Sequence, residues 1–591
     1  MVSASGRYVI TYNGEIYNYR ALRRELEISG YPFRGHSDTE VLLAAVEHWG
    51  FERALHRISG MFALAVWDRK GRVLILARDR VGKKPLYYGW CNNTLLFASE
   101  LKALRCHPDF DNTLDHSALA QYIQYGWLAQ PASVFRNVRK LPQGSFIRIS
   151  MDDRPWSPKP RRYWSAKDVM QKRRRALFSG SYEEALERLE DILVASVHDR
   201  MVADVDLGAL LSGGVDSSLV VALMRQSGSR PGATFSIGFW EPKYNEAEYA
   251  AQVARHLGTR HHELYVTPEQ SLDIIGRLPQ IYDEPFADIS QIPTYLVSEL
   301  ARSEVKVVLS GDGGDELFAG YTRYFECLRR WRRSSRLPLK ARHILGAAID
   351  SLGRYSWELC KPLDYSHERK LPKWRRLGSK LQRHACDWHV EHPQQLIANT
   401  FTHGLYGCQM IRGAGHQDTL LGDSSQWVEG VDPLHAMMHY DFGSYLADDI
   451  LVKVDRASMA VGLEVRCPLL DSRLIEFAWS LPNHYLVDDR GGKRILKDVL
   501  RRHVPQTLID RPKRGFSVPV ADWLRGSLRP WAEDLLDIST LQRQGIFNAG
   551  SVHRLWRQHL CRWRNHTNQL WAILMFQAWL LETETSRRDE L

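Results

Sequence analysis

The stretch from Ser212 to Ser218 constrains the fold of this 591-residue chain more than any other part. It reads Ser-Gly-Gly-Val-Asp-Ser-Ser, follows the apolar run 205–211 and precedes a helical pattern. Small hydroxyl residues and glycines let backbone N–H groups close around a phosphate, and the next helix begins with partial positive charge. Asp216, Ser217 and Ser218 are expected to cap that helix. The pattern predicts a strand, a phosphate-binding loop and a helix start.

This loop is neither of the two common nucleotide-binding fingerprints. It lacks the lysine of G-x-x-x-x-G-K-[ST], and its glycines do not have the dinucleotide spacing. It resembles the pyrophosphate loop of ATP pyrophosphatases, which cleave ATP to AMP and pyrophosphate. A solvated strand-to-helix connection is the alternative at this point.

Three more β-rich runs follow, at 233–239, 261–266 and 305–310, with a helical stretch at 246–257 between the first two. Strands that alternate with helices predict a parallel, doubly wound sheet. In such sheets ligands bind outside the carboxyl ends of the strands. We expect Ser212, Ile237 and Ser310 to lie at that edge.

Composition is that of a globular protein, with 44% hydrophobic and 25% charged residues, and the length predicts two or more domains. The 79 basic and 69 acidic residues give a charge of +10, but no recognition motif accompanies the basic clusters, so no nucleic-acid partner is expected. The longest apolar run, 570–581, is too short to span a membrane, and no secretory signal is seen. Eight scattered cysteines without a C-x-x-C pair indicate reduced thiols and a cytoplasmic location.

Four segments are expected along the chain. Residues 1–150 are β-rich with a hairpin at 61–77, and residues 151–181, rich in Pro, Arg and Lys, form the linker candidate. Residues 182–540 are α/β and then helical, and 541–591 form a helical extension. Within them, the basic, Trp-rich stretch 325–421 contains no motif that we can interpret.

Motifs in both halves resemble, in family order, those of the glutamine-dependent asparagine synthetases. In the N-terminal half they are Tyr12–Asn18, Ser37–Glu40, Gly60–Ala63, Asp79–Arg80, Lys83–Tyr87 and Phe97–Glu100. In the C-terminal half they are Ser212–Ser218, Asp283–Pro285, Ser310–Glu316, Asp455–Met459, Glu464–Asp471, Gly492–Lys493 and Lys513–Phe516. The resemblance implies a mixed α/β and α+β chain. A glutaminase domain of sandwiched sheets, an N-terminal-nucleophile hydrolase, would precede an ATP-pyrophosphatase-type doubly wound α/β synthetase domain with helical additions.

One departure concerns the nitrogen donor. Family members with glutaminase activity begin Met-Cys-Gly, and the cysteine supplies both the nucleophile and the α-amine that acts as base. This sequence begins Met1-Val2-Ser3 and lacks the family's opening strands. A start assigned at an internal Met or a cut chain is one explanation, and real loss of glutaminase is the other. The chain as written is expected not to hydrolyse glutamine and to use free ammonia.

The resemblance implies ATP-dependent amidation of a carboxylate, most simply aspartate to asparagine, through an acyl-adenylate. Backbone amides along the first loop would hold pyrophosphate, with Asp216 on Mg²⁺ and Ser217 on a phosphate oxygen. The residues implied in ATP and pyrophosphate binding are Leu211, Ser212, Gly213, Gly214, Asp216, Ser217, Ser218, Ile237, Ser310 and Gly311. Leu211 and Ile237 could equally be ordinary core residues at strand ends.

The second glycine-rich loop and a later lysine are implied in catalysis. Asp312 occupies a position where the family often has Glu, and it would accept the proton of attacking ammonia or position the intermediate. Lys493 would neutralise phosphate charge in the transition state, with a solvated lysine as the alternative. Asp315 is a second candidate metal ligand, and Asp315 and Glu316 could instead only cap a helix.

Other matches have structural alternatives. Asn13 and Gly14 match the family's oxyanion hole, and Glu15 and Asp38 match positions that bind the amino group of glutamine. A tight turn is the alternative for Asn13-Gly14. Four charged residues match a substrate-organising segment, but buried ion pairs would look the same: Asp455, Arg456, Arg466 and Asp471.

Two other functions stay open in the sequence. A paralogue could amidate a sugar acid or peptide, or close a ring as β-lactam synthetases do. A non-catalytic scaffold that senses glutamine or nucleotide is the class-distant alternative. The expected partners are small molecules: aspartate, ATP, and glutamine or ammonia. Oligomeric state stays open, with a homodimer as one option.

Overall fold

The fold is that of a computed structural model, which describes residues 1–150, 159–228, 232–240, 245–358, 385, 387–402, 410–415, 423, 425, 427–510 and 518–589. The Lys513–Phe516 motif lies outside these ranges, as does part of the stretch 325–421 that the sequence left uninterpreted. Among the described residues, no helix is both long enough and apolar enough to cross a bilayer.

The N-terminal half is a sandwich of two antiparallel sheets with helices on its outer face. The larger sheet has the order β1-β2-β3-β7-β8 and the smaller one β5-β4-β6. The strands are β1 (Tyr8–Ile16), β2 (Gly60–Asp68), β3 (Val73–Arg78), β4 (Tyr87–Cys91), β5 (Thr94–Ala98), β6 (Val138–Lys140), β7 (Ser145–Ser150) and β8 (Arg161–Arg162). The helices are α1 (Tyr19–Ile28), α2 (Asp38–Trp49), α3 (Phe51–Arg57), α4 (Leu101–Arg105) and α5 (His116–Tyr125).

Strand β2 shows why the sequence folds this way. Successive side chains of a strand point to opposite faces of the sheet. Phe62 and Leu64 face the core that α1 and α2 cover, whereas Ala63 faces the second core together with Tyr88 and Ile147. The small alanine lets the two sheets approach. The expected sandwich is therefore confirmed, and the predicted hairpin is formed by β2 and β3.

The second half is built on a parallel sheet with the order β11-β10-β9-β12-β13. In chain order the strands run 3-2-1-4-5, so the sheet is doubly wound, as expected, and its direction of winding reverses between β9 and β12. Ligands of such sheets bind at that reversal. The strands are β9 (Leu207–Leu210), β10 (Ala233–Phe239), β11 (Arg260–Val266), β12 (Val307–Leu309) and β13 (Glu464–Arg466).

Helices cover this sheet and extend from it. The interval predicted as a linker contains β8 and a helix whose Met170 is fully buried. The helices up to the middle of the chain are α6 (Ala166–Arg175), α7 (Tyr182–Arg200), α8 (Val215–Ser227), α9 (Ala247–Leu257), α10 (Pro268–Ile275), α11 (Leu278–Tyr282), α12 (Gln291–Arg302), α13 (Gly314–Leu317), α14 (Thr322–Ser334), α15 (Leu339–Glu358) and α16 (Pro393–Phe401).

The remaining helices complete the second half and include one π-helical turn, Leu446–Ile450, and one 3₁₀ turn, Pro468–Leu470. They are α17 (Pro433–Gly443), α18 (Leu451–Met459), α19 (Ser472–Ser480), α20 (Asn483–Leu486), α21 (Arg494–Arg501), α22 (Gln506–Ile509), α23 (Val520–Trp523), α24 (Arg529–Leu535), α25 (Ile538–Gln544), α26 (Ala549–Leu560) and α27 (Thr567–Asp589).

One hydrophobic core joins the two halves. Tyr122 of α5 and Trp571 of α27 belong to the same buried cluster as Leu309 of β12. The Tyr122 hydroxyl donates a hydrogen bond to the carbonyl of Ala572 at 2.8 Å. The expected helical extension at 541–591 thus ends in a helix that packs on the N-terminal half.

Candidate active site

A cleft of about 1260 Å³ opens at the carboxyl ends of β9 and β12, where the sheet reverses its winding. Most of the predicted nucleotide and catalytic residues line it. Gly213 and Ser218 do not, because Gly213 is buried in the turn and Ser218 lies inside α8 at 2% exposure. The predicted residues along the cleft are Leu211, Ser212, Gly214, Asp216, Ser217, Ile237, Ser310, Gly311, Asp312, Asp315 and Lys493.

The first loop directs the start of α8 into this cleft. Gly214 is the N-cap, and no side chain accepts from the first-turn N–H groups. The expected capping by Asp216, Ser217 and Ser218 is therefore wrong, because helix α8 begins at Val215 and these residues already lie in its first turn. Uncapped N–H groups and the helix dipole together suit an anionic ligand.

Hydroxyl groups close the loop on itself. The Oγ atoms of Ser212 and Ser217 are 3.1 Å apart, and the Gly214 N–H donates to Ser212 Oγ at 3.2 Å. Leu211 and Ile237 are buried at the base of the cleft, at 1% and 4% exposure. Ile237 lies within β10 rather than at its end, but β9 pairs with β10 only as far as Phe235, so Ile237 extends past its neighbour into the cleft.

The second loop, after β12, packs directly on the first. A Cβ added at Gly311 would come within 2.7 Å of the Ser217 backbone nitrogen, and one at Gly314 within 2.5 Å of the Asp216 carboxyl carbon. Glycine is required at both positions for this close approach. The Ser310 hydroxyl donates to Asp312 Oδ2 at 2.7 Å and thereby orients the carboxylate.

Lys493 joins the two loops. Its ammonium donates to Asp216 and lies 2.6 Å from Asp315 Oδ1. Burial disfavours the charge, but Asp216 and Asp315 outweigh it and hold the pKa of Lys493 above its ordinary value. Lys493 also has a left-handed backbone, with φ of 62°, which is uncommon for a side chain with a Cβ. The solvated-lysine alternative is wrong, since the side chain is buried between two carboxylates.

Several residues of the cleft were not singled out in the sequence. Lys453 donates to Asp288 at 2.6 Å, and Arg323 packs 3.7 Å over the ring of Tyr321. Tyr321 in turn donates to Glu316 at 2.6 Å. Tyr321 follows the Ser310–Glu316 motif by five positions and Lys453 precedes the Asp455–Met459 motif by two, so proximity to a motif was the available signal for both.

Glu316 is buried and is more than a helix cap. Burial, aided by the neighbouring Asp315, raises the pKa of Glu316 to about 7. Burial likewise holds the pKa of Asp449 well above its ordinary value. Among the described residues, no group of three or more His, Cys, Asp or Glu side chains is arranged to hold a metal ion.

The N-terminal candidates lie on β1 and α2. Asn13 and Gly14 are strand residues paired with β2, so the tight-turn alternative is wrong. Asn13 Nδ2 donates to Ser99 Oγ at 3.2 Å. Asp38 accepts from the Tyr12 hydroxyl at 2.8 Å and from the Ile16 N–H at 3.0 Å, so β1 already engages its carboxylate.

Glu15 links this region to the second half. Its carboxylate lies 3.3 Å from the guanidinium of Arg466, at the end of β13. Burial raises the pKa of Glu15 to about 7, although Arg466 opposes the shift. The next residue, Cys467, places its Sγ 3.9 Å from Asp312 Oδ2. Arg466 and Cys467 therefore lie between Glu15 and Asp312, and they connect the N-terminal candidates to the cleft.

The four charged residues for which ion pairing was the alternative are all buried, and each forms an ion pair. Asp455 pairs with Lys84 at 3.0 Å, and Arg456 with Glu100 at 3.1 Å. Asp471 pairs with Arg200 at 3.1 Å. Arg466 also pairs with Glu464 at 2.6 Å. None of the four lines the cleft.

The chain matches two family models. The model described as Asparagine synthase covers residues 188–581, and the model described as Glutamine amidotransferase domain covers residues 1–164. The first match alone spans more than half of the chain.

Three curated relatives illustrate the similarity. A putative asparagine synthetase [glutamine-hydrolyzing] of Mycobacterium tuberculosis (strain ATCC 25618 / H37Rv) is 34% identical over 98% of this chain and 84% of its own length. Asparagine synthetase [glutamine-hydrolyzing] 1 of Bacillus subtilis (strain 168) is 31% identical over 97% and 85%. Asparagine synthetase B [glutamine-hydrolyzing] of Escherichia coli (strain K12) is 32% identical over 53% and 52%.

Proposed function

The chain belongs to the asparagine synthase family, and from this premise we propose that it converts aspartate to asparagine by ATP-dependent amidation. The observation that supports this most directly is the cleft where the sheet reverses. It brings together an uncapped helix start, two glycine-rich loops, a buried lysine and an oriented aspartate.

The first step we propose is adenylation. A side-chain oxygen of aspartate attacks the α-phosphorus of ATP, and pyrophosphate leaves. Backbone N–H groups at the start of α8, with the hydroxyls of Ser212 and Ser217, would hold the pyrophosphate. Lys493 can turn from its carboxylate partners to the developing negative charge. Leu211 and Ile237 offer the apolar wall for the base or ribose.

The residues at the cleft also fit a divalent cation. The carboxylates of Asp216 and Asp315 both form ion pairs with one cationic group, the Lys493 ammonium. Two carboxylates that supplement phosphate oxygens are the protein ligands that Mg²⁺ commonly takes. When bound, Mg²⁺ would neutralise phosphate charge. A bound cation would help a cleft rich in acids to accept a polyanion; the acidic side chains along it are Asp216, Glu246, Asp288, Asp312, Asp315, Glu316, Glu326, Asp449 and Asp489.

The second step forms the amide. Ammonia attacks the acyl carbon, AMP leaves, and the nitrogen loses a proton. Asp312 is the proposed proton acceptor, because its carboxylate faces the cleft and the Ser310 hydroxyl orients it. Because Asp is one methylene shorter than Glu, the ammonia nitrogen must come closer to β12 to reach the carboxylate of Asp312.

Glutamine is the nitrogen donor named for the relatives, and we propose that the nitrogen used here comes from glutamine or from free ammonia. Asn13, Gly14, Glu15 and Asp38 remain the proposed glutamine contacts. A cytoplasmic location fits the described cysteines, all of which are free thiols. A homodimer stays a prediction. Nothing in the comparisons favours another acceptor, ring closure or a scaffold.

The experiment is an assay of pyrophosphate release with ATP and Mg²⁺, with and without aspartate, using ammonium or glutamine. The proposal expects release that depends on aspartate and on a nitrogen donor. Release that requires a sugar acid or peptide would replace the acceptor. No release with any carboxylate would support the scaffold.

A further inference from the structure

A second cavity lies where the segment between the two halves meets both of them. Its volume is about 50 Å³, which is room for roughly three to five water-sized atoms. Its walls come from the N-terminal half (Gln130), β8 (Arg162), the first turn of α6 (Lys167), α16 (Gln394) and α17 (His439). None of the described residues that line this cavity lines the cleft described above. The cavity is therefore separate from the proposed active site.

Four side chains along the cavity carry buried polar atoms without partners. In the described part of the chain, five such atoms form no hydrogen bond: Trp164 Nε1, Trp427 Nε1, His439 Nδ1, Gln394 Nε2 and Gln394 Oε1. Gln394 is fully buried, and His439 is 7% exposed. Buried polar groups are nearly always hydrogen-bonded, because an unpaired one costs free energy. Five of them around one cavity indicate that it binds a polar ligand.

A neighbouring pair of glutamines shows the ordinary arrangement. Gln130 Nε2 donates to Gln143 Oε1 at 2.8 Å, and the Gln143 N–H donates to Gln130 Oε1 at 3.1 Å. These two side chains line the same cavity, yet they are hydrogen-bonded to each other rather than to Gln394. Buried atoms without partners also line the proposed active site, where they include Arg323 Nε and Asp449 Oδ1. The second cavity thus shares this feature with the cleft proposed to bind substrates.

The charge around the cavity favours an anion. Arg162 and Lys167 line it, and among the described residues no Asp or Glu does so. Asp168 and Asp423 interact with Arg162 from outside the cavity. The first turn of α6 adds the positive end of a helix dipole. Together with the indole and amide N–H groups, these charges suit a small oxyanion.

The cavity also offers acceptors, which distinguish one anion from another. Burial, aided by the charges of Lys167 and Arg162, lowers the pKa of His439 to about 3, so the ring is neutral. A neutral imidazole has one N–H donor and one acceptor nitrogen, and Gln394 Oε1 is a further acceptor. An anion bound here can therefore accept hydrogen bonds and also donate one. Hydrogen phosphate and bicarbonate carry an O–H for this purpose, whereas sulfate does not.

We propose that this cavity binds a small oxyanion that carries one hydroxyl group, and that hydrogen phosphate is its ligand. The N–H groups of Trp164, Trp427 and Gln394 hold the anion. Its two negative charges match the two cations, Arg162 and Lys167. Aspartate, asparagine and ATP have too many atoms for this volume, so the site is not a second substrate site. Because its walls belong to both halves, the bound anion stabilises the contact between them.

The test measures binding of inorganic phosphate to the full chain by calorimetry at constant ionic strength. Wild type is compared with Gln394→Met, with the exposed control Gln226→Met and with the cleft variant Lys493→Met. Gln394→Met keeps the length of the side chain and removes both of its unpartnered atoms. Lys493→Met distinguishes phosphate bound in the cavity from phosphate bound in the cleft. Sulfate and bicarbonate are titrated in the same way, and thermal unfolding is followed with and without each anion.

We expect wild type, Gln226→Met and Lys493→Met to bind phosphate at the cavity with equal affinity. Gln394→Met should bind it at least about tenfold more weakly, and wild type should bind sulfate at least about tenfold more weakly than phosphate. Phosphate should raise the unfolding temperature of wild type but not that of Gln394→Met. Without phosphate, Gln394→Met should unfold at the same temperature as wild type or higher, because two unpaired buried groups are removed. If Gln394→Met does not fold, Trp427→Phe, which removes one N–H donor, carries the same expectation for phosphate affinity.

Three results would overturn the inference. The first is no binding of any of these anions at millimolar concentration, which would leave the cavity to water. The second is phosphate binding that Lys493→Met abolishes and Gln394→Met keeps, which would assign the anion to the cleft. The third is equal affinity for phosphate and sulfate, which would indicate attraction by charge alone. Tighter binding of bicarbonate than of phosphate, lost in Gln394→Met, would support the site and identify bicarbonate as its ligand.

Discussion

Lys493 combines three features that rarely occur together by accident: burial, a left-handed backbone and two carboxylate partners. Unusual backbone conformations in buried charged residues concentrate at functional sites. Local sequence indicated only a lysine after two glycines. Its pairing with Asp216 and Asp315 depends on residues 277 and 178 positions away, which sequence spacing alone could not bring together.

Replacing Lys493 tests its role in phosphate chemistry. Lys493→Met should lower aspartate-dependent pyrophosphate release by about 100-fold or more, because one preorganised donor to developing charge is removed. The matched control is Lys172→Met on the exposed surface of α6. Steady-state release at saturating ATP measures the effect, and a loss of less than threefold would contradict it.

Asp312 should affect only the later step. Asp312→Asn keeps the side-chain shape and removes the proton acceptor, so ammonia-dependent synthesis should fall about 100-fold. Exchange of pyrophosphate into ATP should change little, because adenylation does not require Asp312 as a base. Asp312→Glu should retain more synthesis than Asp312→Asn. Equal loss of both reactions in Asp312→Asn would assign this residue to nucleotide binding instead.

Glu316 predicts a pH dependence of stability. Its pKa of about 7 in the fold lies above the ordinary 4.5, so the folded state binds the proton more tightly. The stabilisation is complete below pH 4.5 and is lost as the pH rises through 7. The free energy of unfolding, measured with urea for wild type and Glu316→Gln, should therefore fall between pH 5 and pH 8 by about 1–3 kcal/mol more in wild type than in the variant. The free energy of unfolding of the exposed control Glu187→Gln should fall as much as that of wild type. Equal falls in all three proteins would contradict the expectation.

At the scale of elements, the regular strands and the parallel, doubly wound type of the sheet could be predicted from sequence. The run 233–239 is β10 with the same bounds, and 246–257 is α9 within one residue. Alternation of hydrophobic strands and helices suffices for such elements because the pattern is local. The cap of α8 could not be predicted, since Asp and Ser favour the N-cap in general and only the backbone shows that the helix begins at Val215.

The contact between the two glycine-rich loops gives a prediction at this scale. Gly311→Ala places a Cβ within 2.7 Å of the Ser217 nitrogen and must separate the loops. We expect the KM for ATP to rise at least about tenfold and the protein to lose about 1–3 kcal/mol of stability. Gly276→Ala, where nothing lies within 4 Å of the added Cβ, is the matched control. Equal KM values in both variants would contradict the packing argument.

At the scale of the whole molecule, the halves are joined by buried charges as well as by a common core. Lys84 and Asp455 pair across the boundary, and Lys140 lies 2.5 Å from Glu284. Sequence placed Lys84 and Asp455 in separate motifs, 371 positions apart, and nothing in either motif indicated the pairing. Long-range ion pairs need the tertiary fold before they can be recognised.

Replacing Lys84 tests how much the ion pair between the two halves contributes to stability. Lys84→Met leaves Asp455 buried without its cation and should cost about 3–5 kcal/mol of unfolding free energy. The double variant Lys84→Met/Asp455→Leu should recover most of that loss, because no uncompensated charge remains. Urea unfolding followed by tryptophan fluorescence measures both. Additive losses in the double variant would show that the two side chains act independently.

The central claim, adenylation followed by amide formation in one cleft, is tested most directly by product analysis. The purified chain is incubated with ATP, Mg²⁺, aspartate and ammonium, and AMP, pyrophosphate and asparagine are quantified together. The account predicts equal amounts of all three products and none without aspartate. ADP and phosphate in place of AMP and pyrophosphate, or pyrophosphate formed equally well without aspartate, would contradict it.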